Sequence, residues 1–311
     1  MSNALTLRLL FISLLLLQAC KTIEVPEKAV LKTGKYQYEV FKERLERTKF
    51  SAAKRDSLSQ MFNLLANSDS EMIAQDDKSS LLRKYFNHDS IKLEYFVFQP
   101  QRVEKVGLFY LGNGSNVLRF YDELKLLCQT THTKIYVLNY RGYGKSFGEP
   151  SFKTQFDDNA LFFDFLRKEN TTIDFVMGYS LGSIFATRTA VENQTPHLFL
   201  LAPFSNATEM IKVQKHKFTW GPKIILRPFI KLHTEAHLLS LSNSDGIKDY
   251  QGQLYIAHGT LDPTLPYRMG KQVFENATTA QKQLHTIKRG FHNAPFLKDE
   301  WQKIIAQVQN I

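Results

Sequence analysis

From Ile91 onward, compact apolar runs alternate with stretches in which apolar residues recur at three- and four-residue spacing. "IKLEYFVF" alternates like a half-buried strand, while "VGLFYLG", "KIYVLNY", "IDFVMG", "HLFLLAP" and "QLYIAHG" are short apolar runs ending in Gly, Pro or polar residues. Runs of the second kind read as parallel strands covered on both faces. Between them "VLRFYDELKLLCQ", "TQFDDNALFFDFLRK" and "LGSIFATRTAVEN" carry the helical period. Repeated strand, helix, strand succession predicts an α/β fold built on a mostly parallel, doubly wound sheet.

The chain ahead of this region has a different texture. Residues 20–90 are polar and charged, with "FKERLERTKF" and "SLSQMFNLLANS" patterned as helices, which predicts a tether and N-terminal helices before a main domain over 91–311. One connection inside that domain, about 204–250, is larger than a loop and contains "KFTWGPKIILRPFIKLHTEAHLLSL". It reads as a small helical cap over the carboxyl edge of the sheet, where open α/β sheets bind ligands; an ordinary crossover helix with a loop is the alternative. There is no internal repeat and no low-complexity tract.

At the N-terminus, Arg8 precedes an apolar run from Leu9 to Leu17. That run is too short to span a hydrocarbon core of about 30 Å as a helix, so residues 1–19 read as a signal peptide. The following Leu17-Gln18-Ala19-Cys20 resembles the lipobox of bacterial lipoproteins, with Gln18 departing from the usual small residue. The resemblance implies a lipid on Cys20, a membrane-anchored chain and a location at the bacterial cell envelope; a plain secretory signal is the alternative. Each buried methylene of such a lipid contributes about 0.8 kcal/mol.

Composition narrows the partners. The 311 residues are 43% hydrophobic, enough for one large core, and the net charge is +10. The 40 Lys and Arg are spread along the chain without the basic, aromatic-interleaved block of nucleic-acid binders, so no nucleic-acid partner is expected and the excess reads as a mild attraction to anionic surfaces. Cys128 is the other cysteine, in an apolar helical stretch, and reads as a buried small hydrophobe. With Cys20 acylated, no intramolecular disulfide can form.

The chemistry concentrates in three places. Gly178-Tyr179-Ser180-Leu181-Gly182 stands between a β-rich run and a helix-forming run, the GxSxG pattern of a nucleophile elbow. A serine nucleophile needs a base, and the base needs a carboxylate. Asp262 follows a strand in a turn with Pro263, and His292 lies in a loop behind Gly290, giving the chain order Ser, acid, His. The helix start behind Ser180 offers the Leu181 N–H to a developing oxyanion, and the Gly-rich turn in "VGLFYLGNGSN" offers that of Asn113. His258 is better placed for structural support, and His233 and His237 fall in the cap. Gly112 and Gly114 lack the third glycine of a dinucleotide loop, and Gly144-Lys145-Ser146 lacks the first glycine of a phosphate loop. Neither zinc spacing nor an acidic calcium loop occurs, so no metal and no cofactor are expected.

These segments together resemble an α/β hydrolase of the Bem46-like group from about Ile91 to the C-terminus. "NYRGYGKSFGEPS" is similar to that group's signature after its fourth strand, "LGNGSN" to its oxyanion turn, and "GYSLGS" and "HGTLDPTLP" to its elbow and acid turn. The resemblance implies the α/β-hydrolase fold and a serine hydrolase cleaving a small-molecule ester, thioester or amide through an acyl-enzyme. Leu111 departs from the group's usual His, which predicts altered packing. Trp220, Tyr179 and Phe204 are the expected pocket residues. A catalytically silent scaffold that binds an envelope ligand or partner, and acyl transfer to an acceptor other than water, are the alternatives. The sequence does not choose a bond type, a membrane or an oligomeric state.

Overall fold

The computed structural model describes residues 21–27, 31, 43, 45, 50–169, 171–218 and 230–311. Residues 1–19, read above as a signal peptide, Cys20 and Trp220 lie outside the described residues, as do the other cap residues of 219–229. In chain order the first half forms β1 (Lys21–Val25), α1 (Ala52–Asn67), β2 (Met72–Gln75), β3 (Ser79–His88), β4 (Ile91–Pro100), β5 (Lys105–Tyr110), α2 (Tyr121–Thr131), β6 (Thr133–Leu138) and α3 (Phe152–Lys168). The second half forms β7 (Phe175–Tyr179), α4 (Gly182–Glu192), β8 (His197–Leu201), α5 (Ala207–Phe218), β9 (Ile230–Thr234), β10 (Gln253–Gly259), α6 (Tyr267–Asn276), β11 (Lys282–Ile287) and α7 (Lys298–Gln309).

Nine strands make one sheet in the order β11-β10-β8-β7-β5-β6-β4-β3-β2. Neighbours from β11 to β6 run parallel, whereas β4, β3 and β2 add an antiparallel edge. After β5 the chain first adds β6 on one side and then β7 on the other. That reversal opens a crevice at the carboxyl ends of the central strands. Their buried residues are mostly apolar: Val176 and Met177 in β7, Leu198 and Leu200 in β8, and Ile256 in β10 are fully buried.

The sheet begins at Met72, ahead of the Ile91 boundary expected from the sequence. β3 buries Ser79, Leu81, Arg83 and Phe86, so one inward position of its alternating pattern is a charge. Arg83 is tolerated there because Glu94 of β4 lies 3.7 Å away and because its guanidinium donates to the carbonyls of Leu65, Ser68 and Ser70. The Glu94 carboxylate also accepts from the Asn139 side chain at 2.8 Å and from the Lys145 N–H at 3.0 Å. This buried network fixes the loop after β6 against the sheet.

The excursion between β8 and β10 holds α5, the strand β9 and two helical turns, Ala236–Leu239 and Asn243–Gly246. It is therefore not the purely helical cap that its periodicity suggests. β9 pairs in parallel with β1, from Lys21 opposite Ile230 to Val25 opposite Thr234. The start of the 20–90 segment, expected to be a tether followed by helices, thus contains a strand, Lys21–Val25, whose partner lies far along the chain. His233 meets Glu24 at 2.8 Å, and the Glu27 N–H donates to Glu235 at 3.3 Å.

Candidate active site

Ser180 sits on the turn from β7 into α4 with φ +54°, a backbone region that side chains other than glycine rarely occupy. The turn is held from both sides. The Ser180 N–H donates to Leu201 of β8 at 2.9 Å, and its carbonyl accepts from the Ser183 N–H at 3.1 Å and the Ser183 hydroxyl at 2.6 Å. The flanking glycines are required by space. A Cβ on Gly178 would fall 2.5 Å from the Gly182 carbonyl oxygen, and one on Gly182 would fall 2.2 Å from that of Tyr110. Strain of this kind persists only where the surroundings over-determine it.

The loops after β10 and β11 bring Asp262 and His292 to this turn. His292 Nε2 lies 3.0 Å from Ser180 Oγ, and His292 Nδ1 lies 2.6 Å from Asp262 Oδ2. With the carboxylate as acceptor, Nδ1 donates and Nε2 is left to accept the serine proton. The other Asp262 oxygen accepts the N–H groups of Thr264 at 2.7 Å and Leu265 at 2.9 Å. Burial alone would raise the Asp262 carboxyl, but hydrogen bonds from His258 and His292, the charge of His292 and the Leu265 N–H outweigh it. The acid is held well below the usual carboxylate range.

His258 is buried at the end of β10, donates to the Leu265 carbonyl at 2.8 Å and lies 3.3 Å from Asp262 Oδ2. Its ring packs so closely on Gly270 that a Cβ there would fall 2.2 Å from His258 Nδ1. It supports the acid turn, as its position in sequence suggests. Tyr179 serves the histidine in the same way: its ring centroid is 5.1 Å from that of His292, and its hydroxyl reaches the His292 carbonyl at 3.4 Å.

Tyr179 and Phe204 are each only 3% exposed, so the two described members of the expected pocket are core residues rather than an open wall. Tyr179 is enclosed by Phe120 and Phe296 as well as by His292. The Phe204 carbonyl accepts from Asn243 at 2.9 Å, and Asn243 also donates to Ser183 at 2.8 Å, which links the return of the cap to the elbow. Cys128 is buried, and burial pushes its thiol up to about 12, which leaves it inert at neutral pH.

The turn Leu111-Gly112-Asn113-Gly114 borders the serine. A Cβ on Gly112 would come 2.9 Å from the Tyr179 ring and 3.4 Å from Ser180 Cβ. Two tyrosines from the loop after β6 hold this turn. The Tyr140 hydroxyl donates to the Leu111 carbonyl at 2.6 Å, and the Tyr143 hydroxyl donates to Asn113 Oδ1 at 3.3 Å while accepting the Gly114 N–H at 3.1 Å. Leu111 itself is fully buried. Across from the turn, Leu181 stands at the start of α4 with helical angles, where N–H groups have no acceptor within the helix. The tyrosines lie in the quoted "NYRGYG" segment, but nothing local in the sequence assigns them to the turn.

A separate cleft of about 380 Å³, lined by His197, Gln253, Gln281 and Asn310 among others, lies at the amino ends of β8 and β10, on the edge opposite Ser180. Among the described residues, one group of three side chains could hold a metal ion, Glu27, Glu235 and His237; it is exposed to half-buried and falls where β1 meets the cap.

Comparison with known proteins agrees with this architecture. The profile of the family described as "Serine aminopeptidase, S33" matches residues 114–254, a stretch that contains Ser180 and stops before Asp262 and His292. The lysophosphatidylserine lipase ABHD12 of Xenopus tropicalis is 31% identical over 173 residues, 52% of this chain and 42% of that protein. This chain therefore spans less than half the length of that relative. The protein bem46 of Schizosaccharomyces pombe is 25% identical over 227 residues, covering 70% of this chain and 72% of its own. Among solved structures, the esterase Pf2001 of Pyrococcus furiosus superposes with a TM-score of 0.61 at 14% identity, covering 74% of this chain and 90% of that one. The fold is the α/β-hydrolase fold.

Proposed function

We propose that this protein is a serine hydrolase that cleaves acyl esters through an acyl-enzyme, held at the bacterial cell envelope by a lipid on Cys20. The observation that carries the reading is the continuous line from Ser180 Oγ through His292 to Asp262, at 3.0 and 2.6 Å. His292 Nε2 takes the Ser180 proton as Oγ attacks the carbonyl carbon, and Asp262 holds the imidazole and offsets its positive charge. The N–H groups of Asn113 and Leu181 donate to the oxyanion, and His292 then returns the proton to the leaving alcohol. Water, deprotonated by the same histidine, releases the acid and restores the serine. The name lysophosphatidylserine lipase borne by the ABHD12 relatives supports an ester of a long-chain acyl group as the substrate class.

The test is labelling of the chain from residue 21 to 311 with a fluorophosphonate probe, comparing wild type with Ser180→Ala and His292→Ala. Labelling lost in both variants supports the reading. A folded wild type that takes no label sinks it in favour of a silent scaffold.

A further inference from the structure

Asp262 meets more donors than a line of serine, base and acid requires. Its Oδ1 accepts the N–H groups of Thr264 and Leu265, and its Oδ2 accepts His292 Nδ1 at 2.6 Å with His258 Nε2 3.3 Å away. The carboxylate's capacity of about four hydrogen bonds is thereby filled. The backbone donors shape the turn and His292 is the base, which leaves His258 of β10 to be explained.

The His258 ring has little freedom. Its Nε2 lies between two acceptors, the Leu265 carbonyl at 2.8 Å and Asp262 Oδ2, so that nitrogen carries a hydrogen. Its Nδ1 is buried with no hydrogen-bond partner among the described residues. Gly270 of α6 closes that side so tightly that a Cβ would fall 2.2 Å from Nδ1, and the Tyr267 ring packs edge-on at 5.9 Å. An unpartnered nitrogen in the core is a cost that an apolar side chain would avoid. What the imidazole supplies and an apolar group could not is the Nε2–H.

Backbone bonds do not do this work. The acid turn and the base loop are tied by the Leu261 N–H on the Gly290 carbonyl at 2.9 Å, the Thr260 N–H on that of Ile287 at 3.0 Å, and the Arg289 N–H on the Thr260 hydroxyl at 2.8 Å. These set the spacing of the loops, whereas the carboxylate can still turn about its side-chain bonds. Oδ2 is the oxygen that faces His292, and His258 is the second donor on it.

We infer that His258 is a positioning residue for the triad: its Nε2–H holds Asp262 Oδ2 on His292 Nδ1, so that His292 Nε2 stays aimed at Ser180. The inference rests on the hydrolase reading above. Sharing one oxygen between two rings also weakens its pull on each, so His292 is oriented without its cation being over-stabilised.

The test follows the rate of fluorophosphonate labelling across pH in the full chain, held in detergent. His258→Leu removes the N–H, and His258→Gln returns one at similar reach. The expected result is a fall of about tenfold in His258→Leu, the scale of a hydrogen bond to a charged group, with most of it recovered in His258→Gln. The acid limb of the His258→Leu profile should move to higher pH. In an Asp262→Asn background the same change should cost less than about twofold, because its target is gone. If the unfolding midpoint shows that His258→Leu does not fold, His258→Asn, whose shorter amide falls short of Asp262, takes its place. In a wild type that labels, an unchanged rate or acid limb, a loss that His258→Gln does not recover, or a loss as large in the Asp262→Asn background overturns the inference alone. A folded wild type that takes no label removes the hydrolase and the inference with it.

Discussion

The Tyr143 hydroxyl joins two atoms of the turn beside the serine, donating to Asn113 Oδ1 and accepting the Gly114 N–H. In the proposed mechanism the turn offers its Asn113 N–H to the oxyanion, so on that reading its geometry matters most when charge develops. Tyr143→Phe removes both bonds and keeps the ring. With a net worth of about 1 kcal/mol for such bonds, the expected effect is about a fivefold fall in kcat with a smaller change in KM, read by steady-state kinetics on a soluble ester. A fall confined to KM would assign Tyr143 to substrate binding instead.

Gly182 is confined by backbone, not by a side chain that can swing away. Its added Cβ would lie 2.2 Å from the Tyr110 carbonyl oxygen and 2.7 Å from that of Leu111. Gly182→Ala must move β5 or α4, at a cost of about 1–3 kcal/mol. A lowered unfolding midpoint in urea, with labelling of Ser180 lost under native conditions, is the outcome to look for; wild-type stability and labelling would show that the elbow has more room than the geometry allows.

Asp262 makes an acid-stability prediction. Its carboxyl is depressed in the folded chain, so its contribution is present in full above the ordinary aspartate value of about 3.9 and is lost as pH falls through the lower folded value. Asp262→Asn lacks that loss. Thermal midpoints measured from neutral pH down to about pH 2 should fall more steeply for wild type than for the variant below about pH 4, and parallel curves would contradict the assigned environment.

Arg83 and Glu94 are both fully buried, 3.7 Å apart. Arg83→Met leaves the Glu94 charge without its partner and should destabilise the fold by about 3–5 kcal/mol. Arg83→Met combined with Glu94→Leu should recover part of that loss, measured by denaturant unfolding. If the double variant is less stable than the single one, the bonds from Glu94 to Asn139 and Lys145 matter more than the pair.

The same two residues explain what the sequence conceals. The strands from β5 to β8 and β10 are legible because both faces are buried and the code is continuous apolar residues. β3 is not, because Arg83 occupies an inward position whose partner, Glu94, is visible only once two strands pair. β9 is short, and its partner β1 lies about two hundred residues away, beyond any local periodicity. Ser180, Asp262 and His292 stand out because turn chemistry marks each one. Tyr140 and Tyr143 do not, since their bonds run from one loop to another across the sheet edge.

The pairing of β1 with β9 also bears on the order of folding. The register joins Lys21 to Ile230, so this ladder closes only after most of the chain between them has been made and collapsed. Two strands alone are marginal in water, whereas β7 is enclosed by sheet and helices on every side. Amide hydrogens of Lys21–Val25 and Ile230–Thr234 should therefore exchange with solvent long before those of Phe175–Tyr179, by openings that leave the central sheet intact.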